Sequence, residues 1–186
     1  MTPPVRNSLA DQTHSLAVAL GANQAGPGGS PLQTLMAVRP QLEAVVSRWA
    51  QSVEENSPRD MALNGVLSGL TFSWSPLQQT DPVGGPLDQP SYLNAVVLVK
   101  GLELNPESTA ALRLLDALQR LEQSFGRNRS QEERWGPRPL DLDLLFWGEW
   151  RLDHPRLTLP HPGLHLRCFV MEPLLAAMQA STPWLS

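Results

Sequence analysis

Leu140-Asp-Leu-Asp-Leu-Leu-Phe-Trp147 opens with leucine and aspartate in alternation, the period of a strand with one buried face and one polar face. Gly148 and Glu149 then make a turn, and Arg151 to Leu159 forms a return segment. Upstream, a polar loop bearing several arginines spans Arg127 to Pro139. Before it, Leu112, Leu115, Leu118 and Leu121 line the inner face of an amphipathic helix over Pro106 to Phe125, which Gly126 closes. Tyr92 to Leu102 reads as another strand. The second half of the chain is therefore strand, helix, strand.

The first half repeats that order. Ser15-Leu-Ala-Val-Ala-Leu20 is a short apolar run stopped by Gly21, as a buried strand would be. Gly21 to Ser30 is rich in glycine but lacks a Gly-Lys-Ser/Thr ending and the dinucleotide spacing, so a flexible connector is expected. Pro31 after a Ser30 cap starts a helix with Leu32, Leu35, Met36, Leu42, Val45, Val46 and Trp49 at helical spacing, kinked or broken at Pro40. Gln51 to Asp60 reads as a surface connection, Leu63 to Trp74 as one bent strand, and Thr80 to Pro90 as a loop. A final helix covers Cys168 to Met178. The order strand, helix, strand, strand, helix, strand resembles a ferredoxin-like split unit: an α+β fold with a mostly antiparallel sheet flanked by helices.

The 186 residues suit one domain, and 41% hydrophobic residues can furnish its core. Residues 1–13 are polar, contain Pro3 and Pro4 and read as a flexible tail; residues 14–186 read as a single domain. The net charge of -4 argues against a nucleic-acid-binding surface and favours small-molecule partners. All basic residues but Lys100 are arginine, the side chain that grips phosphate in a planar fork. A lone cysteine, Cys168, excludes an intramolecular disulfide framework and fits a reducing, cytoplasmic setting. No apolar run reaches the roughly 20 residues of a membrane-spanning helix.

Chemistry concentrates in Arg134-Trp-Gly-Pro-Arg-Pro-Leu-Asp141-Leu-Asp143. On a strand, Asp141 and Asp143 share a face, with α-carbons about 6 to 7 Å apart. Two such carboxylates suit magnesium, which completes its shell with substrate phosphates; the alternative is an ordinary acidic strand face. Seven arginines between Arg127 and Arg167 favour the phosphate reading. Tyr92 and Asn94, also two apart, could stack on a flat heterocycle and bond its edge, or be a plain aromatic and a strand-edge amide. His161 and His165 are spaced like metal ligands, but Pro162 argues against a helix joining them and no glutamate follows His161. A phosphoryl-transfer enzyme, a two-metal phosphohydrolase and a nucleotide-binding or RNA-binding module all remain compatible with these residues.

The motifs Leu20-Gly-Ala-Asn23, Tyr92-Leu-Asn-Ala95, Arg134 to Asp143, Arg156-Leu-Thr-Leu-Pro-His161 and Arg167-Cys-Phe169 together resemble the 6-hydroxymethyl-7,8-dihydropterin pyrophosphokinase family. The resemblance implies transfer of pyrophosphate from ATP to the pterin hydroxymethyl group by a cytoplasmic monomer, with no nucleic acid and no membrane involved. It implies two magnesium ions on Asp141 and Asp143, with Arg129 and Arg138 joining them as catalytic residues. For ATP it implies Gln119, Glu122, Arg129, Arg134, Trp135, Arg138, Arg156, Thr158, His161 and Arg167. For the pterin it implies a sandwich between Tyr92 and Phe169, read at its edge by Thr80, Asn94 and the backbone around Val83. The chain departs from the family pattern at Ala22, where serine is usual, and at Ser130 or Gln131, where relatives often carry a basic residue. Two loops look one residue longer, and no room is expected for the dihydropteroate synthase domain found in some relatives.

Overall fold

The computed structural model describes residues 15–55, 69–86, 88–133, 135–164 and 168–179. In chain order these form β1 (Leu16–Ala22), α1 (Pro31–Glu55), β2 (Thr71–Trp74), β3 (Gln78–Thr80) and β4 (Tyr92–Lys100). Then come α2 (Ser108–Ser124), β5 (Asp141–Trp147), a small hairpin of β6 (Leu152–His154) and β7 (Leu157–Leu159), and α3 (Cys168–Gln179). The main sheet runs β2-β4-β1-β5, with β3 also on β4, and every pairing is antiparallel. This is the expected ferredoxin-like α+β order. The expected tail, residues 1–13, lies outside the described residues.

Strand patterning explains the layers. Leu16, Val18 and Leu20 of β1 point to the same side as Ala95, Val97 and Val99 of β4, and α1 and α2 cover them. Ala17, Val96, Leu98 and Leu145 face the other way and receive Val170, Leu174 and Ala177 of α3. Both central strands are thus apolar on both faces. A register shift between Ala17 and Val18 accommodates an extra residue in β5, so that Leu145 and Phe146 both lie on the α3 face while Leu144 and Trp147 lie on the other. The shift comes after Asp143, so the two aspartates keep their common face.

Several expectations need correction. Pro40 neither breaks nor ends α1, which runs 25 residues. Pro40 is exposed, so its missing hydrogen bond falls on the solvent side, while Leu35, Val38, Leu42 and Val46 bury a continuous stripe beneath it. The helix also extends to Glu55, because Trp49, Ala50 and Val53 still bury. The described part of the Leu63–Trp74 stretch is strand only from Thr71; residues 63–68 lie outside the described residues. Thr80 ends β3 rather than starting a loop: Ser75 Oγ accepts the Val96 amide across the interruption at Pro76, and pairing with β4 resumes at Gln78.

The inner face of α2 is also rotated from the expected one. Ala110, Ala111 and Leu114 are buried beside Leu115, Leu118 and Leu121, whereas Leu112 is only partly buried. The helix packs beside α1 on the same sheet face, and Trp49 Nε1 donates to the Ala110 carbonyl at 2.8 Å. The glycine-rich loop is packed rather than flexible. Gly26 and Gly29 exchange backbone hydrogen bonds, and a Cβ on Gly28 would come within 2.9 Å of both Phe125 and Thr34.

Candidate functional site

Helix α3 covers only part of its sheet face. Where it stops, Gly21, Asn94 and Asp141 lie side by side on three strands, because Gly21 pairs with Asn94 on one side and Asp141 on the other. One step along, Ala19 pairs with Asp143. Small residues on β1 leave the floor low, and a cavity of about 460 Å³ opens above it. A Cβ on Gly21 would sit 3.0 Å from Asn94 Oδ1 and 3.7 Å from the Tyr92 ring. Gly21→Val is accordingly expected to displace Asn94 and lower stability by about 1–3 kcal/mol, visible as a fall in melting temperature. An unchanged melting temperature would show that the floor has slack.

One wall is an ion-pair network. Arg127, only 5% exposed, donates through Nη1 to both Asp141 Oδ1 and Glu122 Oε1, and through Nε to Glu132. Arg138 Nη1 donates to Asp141 Oδ2 at 3.0 Å. Burial alone would raise the Asp141 carboxyl, but Arg127 and then Arg138 outweigh it and hold its pKa below the ordinary carboxylate value. Glu122 is fully buried behind this wall. Its Oε1 also accepts the Leu142 amide at 2.8 Å and its Oε2 accepts Arg129 Nη2 at 2.7 Å. Burial pushes its pKa up, against the pull of Arg127 and Arg129.

The loops on either side of Tyr92 and Asp141 are tied to each other. Asn23, at the end of β1, donates to the Pro90 carbonyl and accepts the Arg138 amide. Gln89 Nε2 bonds the carbonyls of Gly84 and Trp135, and Tyr92 donates its hydroxyl to the Gly136 carbonyl at 3.1 Å. Trp135 has φ 61°, uncommon for a bulky residue, and its ring lies against Gly84. Opposite, Asn94 Nδ2 donates to Thr80 Oγ1 at 2.7 Å, which aims both groups at the cavity.

Of the residues singled out in the sequence, Thr80, Val83, Tyr92 and Asn94 line the cavity. Arg129, Trp135, Arg138, Asp141, Asp143 and His161 line it as well. Glu122 stands behind the wall. Gln119 is partly buried on α2, and Thr158 is exposed on β7. Arg156 hydrogen-bonds Asp116 of α2, and neither residue lines the cavity. Arg134, Arg167 and His165 lie outside the described residues, as does the side chain of Phe169, whose backbone belongs to α3. Sequence reasoning gave no site role to Arg127, Gln89 or Gly84. For Arg127 a signal existed: it directly follows the helix-closing Gly126, five residues after Glu122, so the chain returns it to the same side of α2.

Among the described residues no three His, Cys, Asp or Glu side chains group as a metal site. Two carboxylates on one strand face, open to a cavity, still match the donors magnesium takes when substrate phosphates and water supply the rest. The arrangement as a whole joins those carboxylates and a row of guanidinium groups to an aromatic ring and an amide. It defines a site that can neutralise a polyphosphate beside a flat polar ring.

Comparison with known proteins gives the family. The model described as 7,8-dihydro-6-hydroxymethylpterin-pyrophosphokinase matches residues 17–179, and the chain belongs to this family. It is similar to the 2-amino-4-hydroxy-6-hydroxymethyldihydropteridine pyrophosphokinase of Pseudomonas aeruginosa, 50% identical over 100 residues that cover 54% of this chain and 56% of that protein. The protein of the same name from Haemophilus influenzae is 49% identical over 90 residues, 48% of this chain and 51% of that one. The Bacillus subtilis protein of that name is 40% identical over 105 residues, 56% and 58% of the two chains. The matched stretches thus span about half the length of these relatives. Among the described residues no helix is long and apolar enough to cross a membrane.

Proposed function

We propose that the chain transfers a pyrophosphoryl group from ATP to the hydroxymethyl oxygen of 6-hydroxymethyl-7,8-dihydropterin, a step of folate biosynthesis, acting as a cytoplasmic monomer. The observation that carries this reading is convergence: Asp141 and Asp143, Arg129 and Arg138, and Tyr92 with Asn94 all line one cavity. The pterin oxygen forms its bond to the β-phosphorus as the bond from that phosphorus to the α,β-bridging oxygen breaks; AMP leaves with the bridging oxygen and the hydroxyl proton passes to water. Two magnesium ions, held by Asp141 and Asp143, supply charge neutralisation on the phosphates when bound. Arg129 and Arg138 face the same phosphates and stabilise charge growing on them. Arg127 holds Asp141 in place and keeps it ionised. His161, Trp135 and Arg134 complete the ATP side together with Gln119, Thr158 and Arg167, while Glu122 acts from behind by positioning Arg129. Arg156 reaches ATP only after leaving Asp116.

On the pterin side, Tyr92 and Phe169 stack on the two ring faces, and Thr80, Asn94 and the Val83 backbone bond the edge. Tyr92→Ala is expected to weaken pterin binding about tenfold, or about 1.4 kcal/mol, and to leave ATP binding nearly unchanged by calorimetry. Tyr92→Phe removes only the bond to Gly136 and separates loop anchoring from stacking. Equal losses for alanine and phenylalanine would refute the stacking role. The reaction itself is tested by phosphorus NMR of the protein with ATP, magnesium and the hydroxymethyl dihydropterin. AMP and a diphosphorylated pterin are expected; ADP, or phosphate released without pterin, would overturn the reading.

A further inference from the structure

We propose that the groove between α1 and α2, on the opposite side of the sheet from the aspartates, is a binding site for an organic phosphate. The inference does not depend on the proposed reaction. Val45, Arg48 and Trp49 of α1 face Asp116, Ala117 and Arg120 of α2 across a cavity of about 550 Å³. The strands preceding the two helices are antiparallel, so the helices run in opposite directions and Arg48 and Arg120 come from opposite walls. Neither guanidinium has a carboxylate partner among the described residues. The carboxylate in the groove, Asp116, is bonded by Arg156, and Arg113 at the groove's edge meets Glu107 only at 3.6 Å.

Two unpaired guanidinium groups on the walls of one cavity repel weakly, since both are exposed to water. An anion between them removes the repulsion. Guanidinium forks match phosphate oxygens two at a time, which favours phosphate over a halide or a single carboxylate. A bare phosphate would fill only a small part of the volume. Val45, Ala117 and the edge of Trp49 supply apolar wall for a flat organic body attached to it. Arg120 immediately precedes Leu121 and Glu122, so an occupant would sit on the helical turn that holds Arg127 and Arg129 at the other site.

Phenyl phosphate is a suitable probe, followed by the backbone amide NMR signals of the full chain. Saturable shifts are expected at residues 45–52 and 113–121, with a dissociation constant of about 1 mM or tighter. The double variant Arg48→Ala, Arg120→Ala should bind about tenfold more weakly, and since both side chains are exposed its melting temperature should hold. Inorganic phosphate should bind more weakly than phenyl phosphate. The proposal is overturned by shifts confined to residues 127–143, by no shifts at all, by equal affinity in the double variant, or by equal affinity for inorganic phosphate.

Discussion

Asp143→Ala is expected to slow pyrophosphoryl transfer by about a thousandfold or more, equivalent to roughly 4 kcal/mol, while changing ATP affinity only a few-fold. The separation follows from how the two aspartates are held. Asp141 is clamped by Arg127 and Arg138, so removing it would disorganise the phosphate-facing arginines along with the carboxylate. Asp143 lies one step along β5, opposite Ala19, on the same open face. Truncating it leaves the ion pairs of Arg127, Arg129 and Arg138 in place, so ATP phosphates keep their guanidinium partners. What is lost is one of the two carboxylates proposed to hold magnesium. Turnover and titration calorimetry on the same preparation decide the matter, and small, equal effects on both would remove Asp143 from the proposed metal site.

Glu122→Ala should be the most destabilising single change near the site, at about 3–5 kcal/mol. The carboxylate has no solvent exposure and accepts from three places at once: Arg127, Arg129 and the Leu142 amide. Alanine would leave the buried Arg127 short of one counter-charge, the Leu142 amide without an acceptor, and Arg129 free to swing away. For a domain of this size the melting temperature should fall by roughly 6–20 °C. Glu122→Gln keeps an acceptor for Leu142 and should cost less. If Glu122 instead only touches nucleotide, thermal unfolding of the free protein would be unaffected by either change.

The same carboxylate shows where sequence reasoning reached its limit. The resemblance put Glu122 near the nucleotide, although it lies four residues after Leu118 and seven after Leu115 and so falls on the inner face of the helix. A buried glutamate is acceptable only because two arginines from the loop just after the helix turn back to meet it. Arg127 was counted among the seven arginines of its segment but not singled out, since they look alike until some are buried and others, like Arg156, pair outside the cavity. Pro40 was misjudged in the other direction. Local chemistry allowed a kink or a break, and the buried stripe on either side of Pro40 excluded the break.

The sequence by itself determined the order of the long strands and helices, the common face of Asp141 and Asp143, and the placing of Tyr92 with Asn94 on one side of β4. Each of these follows from a period of two or 3.6 residues, which local sterics impose without reference to the rest of the chain. Only the tertiary structure decided that the glycine at position 21 is the low floor between Asn94 and Asp141, and that Asn23 and Gln89 tie two loops over it. It also decided which arginines face the aspartates. Those outcomes depend on strand register, on which arginines are buried and on loop groups brought together from positions far apart, none of which leaves a periodic trace in the sequence.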